Sequence, residues 1–135
     1  MNQLDQIEYH AHEMLKIVAE LRRQQNIVVL EVESALQECL RIVSHRTGIQ
    51  PREILSHTRT QKLCDARNIL WWLLVNVHGY TQRRAAFMTG KRCHATAIHG
   101  LGTLRNLMSV DAKVKALVEL CEADAQKMIQ ARRVA

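Results

Sequence analysis

The chain has 135 residues, 47% of them apolar and 24% charged, with a net charge of +6. That suits one globular domain with a buried core and room for a helical appendage. The longest apolar run, Ile69 to Val75, is far short of the ~18 residues a membrane span requires, and MNQLDQIEYHAHE lacks the basic start and apolar middle of a secretory signal.

One proline, five glycines and no low-complexity run leave helix signals dominant. The expected fold is all-α: a compact helical domain with a helix-turn-helix and helical extensions at both ends. Leu4, Ile7, Ala11, Leu15, Val18 and Leu21 recur at helical spacing, so residues 3–24 read as an amphipathic helix. NIVV at 26–29 is β-branched and is expected to interrupt it with a short extended join. A second helix is expected over 31–47, closed by Gly48, and Gln50-Pro51 opens a short one through Ser56.

Thr60 is a candidate N-cap for a long helix that runs to His78 and stops at Gly79. Its second half, ILWWLLVNV, is apolar nearly all round and should be the buried spine. Trp71 and Trp72 face about 100° apart there and read as core or interface aromatics. Thr81 caps a helix to Thr89, Gly90 ends it, and another begins near Cys93 or His94 and runs to about Met108. A glycine in a turn of about four residues gives helix-turn-helix spacing. Ser109 or Asp111 then caps a last helix with Val114, Leu117, Val118, Cys121 and Ala125 inward. The expected division is an acidic helical arm (1–28), the helix-turn-helix domain (29–109) and a C-terminal helix packed on it (110–135).

Charge is distributed unevenly along these elements. Residues 1–40 hold three bases against seven acids, a net −4, while residues 41–105 hold eleven Lys or Arg against only Glu53 and Asp65, a net +9. Such a segment attracts polyanions. The second helix of the helix-turn-helix has Ala97, Leu101, Leu104 and Met108 on its apolar face. Ala95, Thr96, His99 and Thr103 lie opposite, with His94 at the flank and Arg83, Arg84, Lys91 and Arg92 around its start. Small side chains and hydroxyls let a helix approach DNA, and its first turn offers N–H groups and the positive end of the dipole. Recognition helices read base edges from this end.

Other chemistries find no complete set of residues. His94 and His99 are five apart, so they do not stack on one face as a zinc-binding i, i+4 pair would, and HEMLK at 12–16 lacks the second histidine of HExxH. His10 and His12 read as surface residues of the first helix. No GxxxxGK[ST] loop is present, so no nucleotide or other cofactor is expected. Cys93-His94 lacks a third orienting group for nucleophilic catalysis, and no catalytic site is expected. Cys39, Cys64, Cys93 and Cys121 include no CxxC pair and read as reduced core residues of a cytoplasmic protein.

The pieces GIQPREILSHTR at 48–59, ARN at 66–68 and KRCHATAIH at 91–99 resemble, with matching spacing, the C-terminal DNA-binding domain of the DnaA family of bacterial replication initiators. The resemblance covers Thr47 to about Leu104. It implies a minor-groove role for Arg59 and phosphate contacts for Arg67 and Asn68. It also implies base-edge contacts for Arg92, Cys93, His94 and Ala95, and backbone contacts for Thr96 and His99. The chain departs from the family in placing Cys93 at an aspartate, Ala95 at a threonine, Lys91 at a glycine, Arg83 at a proline and Val75 at a lysine. These changes keep most backbone binding and alter the base-reading positions.

The expected function is therefore non-enzymatic binding of double-stranded DNA, resembling a free-standing initiator DNA-binding domain, in replication or its regulation. The expected location is cytoplasmic, at the nucleoid, with no membrane partner. The first helix could also support a homodimer or a protein partner. The alternative is a helical interaction module that binds protein through the acidic arm and the tryptophan surface.

Overall fold

A computed structural model describes residues 2–90 and 92–134, without the side chains of residues 27–32 and 134. Among the described residues there are six helices and no strand. No helix among them is long and apolar enough to cross a membrane.

Helix α1 runs from Gln3 to Thr47 without interruption, so the join expected at 26–29 does not form. The physical reason is that β-branched residues disfavour a helix by only a few tenths of a kcal/mol each (about 0.7 at most), and no glycine or proline occurs between residues 3 and 47. At its start the Asn2 side chain accepts from the Asp5 N–H (2.8 Å) and the Asp5 carboxylate accepts from the Asn2 N–H (3.5 Å), a reciprocal cap. Gly48, at φ 75°, ends the helix, and its N–H donates to the Ser44 carbonyl.

The chain divides into two units, Met1–Ser34 and Ala35–Ala135. In the first, Leu4, Ile7, Met14, Leu15, Ile17 and Leu21 are each between 56% and 69% exposed. Lys16 pairs with Glu13 and Arg23 with Glu20 along the helix surface.

The second unit holds the core. Pro51 starts α2 (Pro51–Ile54), which ends two residues before the expected Ser56. Thr60 caps α3 (Gln61–Asn76) by accepting from the Leu63 N–H, and Gly79 at φ 77° lets the Tyr80 N–H close back onto the Leu74 carbonyl. Leu63, Ala66, Ile69, Leu70, Trp71, Leu73 and Leu74 of α3 are buried, as expected of a spine. Thr81 caps α4 (Gln82–Met88), and Gly90 at φ 106° makes the turn into α5 (His94–Val110). Of the two candidate caps for α6 (Ala112–Val134), Asp111 is the one used, its carboxylate accepting from the Lys113 and Val114 N–H groups. Val118, Cys121 and Ala125 of α6 enter the core, with Val114 and Leu117 packed beside them.

Polar contacts then tie the packed helices together. Arg46 grips Asp124 with two hydrogen bonds of 2.8 and 3.0 Å, which holds the Asp124 carboxyl below its usual pKa. The Trp72 indole donates to Glu122 at 2.5 Å, joining α3 to α6. Trp71 is buried and donates to the Thr89 hydroxyl at 2.8 Å. That hydroxyl sits within 3.0 Å of the Ala85 carbonyl, so the spine is pinned to the helix-turn-helix turn.

At the crossing of α3 and α5, Gly100 lies against Asn68 and Trp71. A Cβ built on it would collide with the Asn68 side-chain oxygen and come within 2.6 Å of the Trp71 ring. Gly100→Ala should therefore destabilise the fold by about 1–3 kcal/mol, as overpacking does. Thermal unfolding would register roughly 4–8 °C of lost Tm per kcal/mol, and an unchanged Tm would show that the crossing can widen freely.

Candidate nucleic-acid interface

Two segments line one groove of about 760 Å³. One is the loop from α2 into the start of α3, with His57 and Arg59 in the loop and Gln61 opening the helix. The other is the turn into α5 and its first turns, with Arg92, Cys93, Ala95, Thr96 and His99. Arg67, Asn68 and Trp71 of α3 also line it.

The α5 side forms because Ala97, Leu101 and Leu104 are buried against the spine, which leaves Ala95, Thr96 and His99 exposed to solvent. Cys93 occupies the N-cap in extended conformation and is exposed, but its side chain makes no cap hydrogen bond. His94 is half-buried and does not line the groove, while Arg83 and Arg84 are exposed on α4. Lys91 lies outside the described residues.

In the other segment Arg59 is exposed in the loop just before the Thr60 cap. Two guanidinium groups beneath hold this loop in place. Arg67 Nε donates to the Ile54 carbonyl and Arg67 Nη2 to the Ser56 carbonyl, both at 2.6 Å. Arg92 donates to the carbonyls of Ser56 and Thr89. Burial, together with the charge of the adjacent Arg67, lowers the Arg92 pKa from its ordinary value.

The phosphate contacts expected of Arg67 and Asn68 do not fit this geometry. Arg67 is 5% exposed and Asn68 7%, and the Arg67 guanidinium is committed to backbone oxygens left over where α2 stops. Of the tryptophan surface expected for a protein-binding alternative, Trp71 is buried, while Trp72 is half-buried with its indole donating to Glu122. Only two of the four cysteines are core residues. Cys39 and Cys121 are buried, and burial pushes their thiols up to about 12 and about 11, whereas Cys64 and Cys93 line the groove.

The sequence reading missed His57, Gln61 and Cys64 as groove residues, and Thr89 as the link between turn and spine. His57 and Gln61 flank Arg59 by two residues on each side, which was the available signal. Nothing local marked Thr89, because its partner is 18 residues away.

Two helices joined at Gly90, with the second packed by one face and exposed along the other among arginines, define a helix-turn-helix protein of the DNA-binding class. The family described as bacterial dnaA protein helix-turn-helix matches residues 36–103, and the chain belongs to it. A similar protein is the chromosomal replication initiator protein DnaA of Campylobacter fetus subsp. fetus (strain 82-40), 27% identical over 85 residues. That similarity covers 63% of this chain and 20% of the initiator, so the chain spans about a fifth of its relative's length. No solved structure matches.

Proposed function

We propose that the protein binds double-stranded DNA by straddling one sugar–phosphate strand, with the start of α5 in the major groove and Arg59 in the adjacent minor groove. The observation that carries this reading is that exposed Ala95, Thr96 and His99 share one groove with exposed Arg59. A helix in the major groove and an arginine in the neighbouring minor groove have a single phosphate strand between them. Thr96, His99, Gln61 and His57 offer donors along that path, and Arg92 places a positive charge behind it. Arg83 and Arg84 stand exposed on the preceding helix, the element that crosses the backbone in this motif.

Arg67 and Asn68 act as positioning residues here, and Arg92 both positions the loop and contributes charge. The protein acts by occupying DNA at the nucleoid, in replication or its regulation.

The test is duplex binding across a salt series. Arg59, Arg83, Arg84 and Arg92 supply four cations along this path, and at about −0.9 per neutralised phosphate log K should fall with log salt at a slope near about −4. A flat response between low and moderate salt would remove DNA as the partner. Arg59→Ala should weaken binding by roughly 1–3 kcal/mol while leaving unfolding unchanged, because the side chain is exposed. Lost stability without lost affinity would instead make Arg59 structural.

A further inference from the structure

The apolar face of α1 within Met1–Ser34 takes no part in the DNA reading. Leu4, Ile7, Ala11, Met14, Val18 and Leu21 are spaced three and four residues apart alternately, which is the a and d pattern of three coiled-coil heptads. The five larger side chains among them are 42–69% exposed, and Leu15 and Ile17, also exposed, flank the stripe on its two sides. A helix in water owes most of its stability to the packing of such a face. Along residues 4–21 the face extends roughly 27 Å at 1.5 Å per residue.

We infer that this face pairs with a second copy of the chain, the two α1 segments running antiparallel about a two-fold axis between residues 12 and 13. Packing and charge both favour that orientation. A parallel pair would set Ala11 on Ala11 and leave one layer underfilled. The antiparallel pair sets Ala11 opposite Met14, Leu4 opposite Leu21 and Ile7 opposite Val18, so small meets large and each layer is filled.

The charge follows the same order. Residues 3–14 carry Asp5, Glu8 and Glu13 with no Lys or Arg, while residues 15–24 carry Lys16, Arg22 and Arg23 against Glu20. Antiparallel pairing lays the acidic half of one helix beside the basic half of the other, whereas parallel pairing aligns like with like. A two-fold axis needs only one self-complementary face, and this helix has one. A lipid surface fits less well, because interfacial helices carry a Lys- and Arg-rich polar face and this one has more acids than bases.

Sedimentation equilibrium of the full chain, without DNA, tests the pairing independently of the function proposed above. The wild type should have dimer mass at low micromolar concentration. Ile7→Glu with Val18→Glu should weaken association by a hundredfold or more, while the thermal transition of the Ala35–Ala135 unit stays in place. A wild type that is monomeric throughout, or a double variant that dimerises equally well, overturns the inference. Orientation is read on a Cys64→Ser, Cys93→Ser background by mixing Gln3→Cys protein with Gln24→Cys protein under mild oxidation. Mixed disulfides should dominate. Dominant same-site disulfides would mean a parallel pair and overturn the arrangement.

Discussion

Replacing Arg67 with methionine should cost the fold about 2–4 kcal/mol, read as a fall in the urea midpoint at constant m-value. Methionine retains much of the stem's packing, so the loss isolates the guanidinium. Without it the Ile54 carbonyl loses a 2.6 Å charged donor inside the protein, and the Ser56 carbonyl keeps only Arg92. A buried acceptor left unpaired costs about 1–3 kcal/mol, and hydrogen bonds to charged groups contribute about 1.5–3. Against a typical domain stability of about 5–15 kcal/mol this is a large share. The same variant separates positioning from contact. A positioning residue leaves the salt slope of DNA binding unchanged, whereas loss of a phosphate contact reduces it by about one. A midpoint that does not move, with a shallower slope, would return Arg67 to the phosphate backbone.

The contrast between Arg67 and Thr60 explains what the sequence could and could not convey. Thr60, Thr81, Gly48, Gly79 and Gly90 do their work within a few residues of themselves, so their caps and turns were legible. The direction of Arg67 is set by the Ile54 and Ser56 carbonyls, 13 and 11 residues earlier, which need a donor because α2 stops at Ile54. Composition registered its charge and could not register that the charge turns inward. The break expected at 26–29 failed differently: a weak local preference was outweighed by 45 residues of continuous helix. On α5 the alternation of faces was legible because burial of Ala97, Leu101 and Leu104 follows directly from their spacing.

Base discrimination should be shallow in the natural protein and should sharpen when two residues of α5 are changed. Cys93 and Ala95 stand exposed at the end of the helix proposed to enter the major groove. A thiol is a weak donor, and a methyl offers only an apolar contact to thymine. Each good bidentate base contact contributes about 1–3 kcal/mol of discrimination, so losing one or two lowers the specificity ratio by roughly tenfold to a few hundredfold. The protein should therefore bind the DNA box of the family's initiators only slightly better than unrelated duplex. Cys93→Asp with Ala95→Thr should raise that preference and leave the salt slope nearly unchanged, because the exposed phosphate-facing side chains are untouched. The aspartate should also supply the missing N-cap acceptor and add about 0.5–2 kcal/mol of stability. Competition binding with the two duplexes, beside a urea titration, reads both effects. If the natural protein already prefers the box by roughly a thousandfold, its specificity comes from residues other than Cys93 and Ala95, and Arg59 with its minor groove becomes the first place to look.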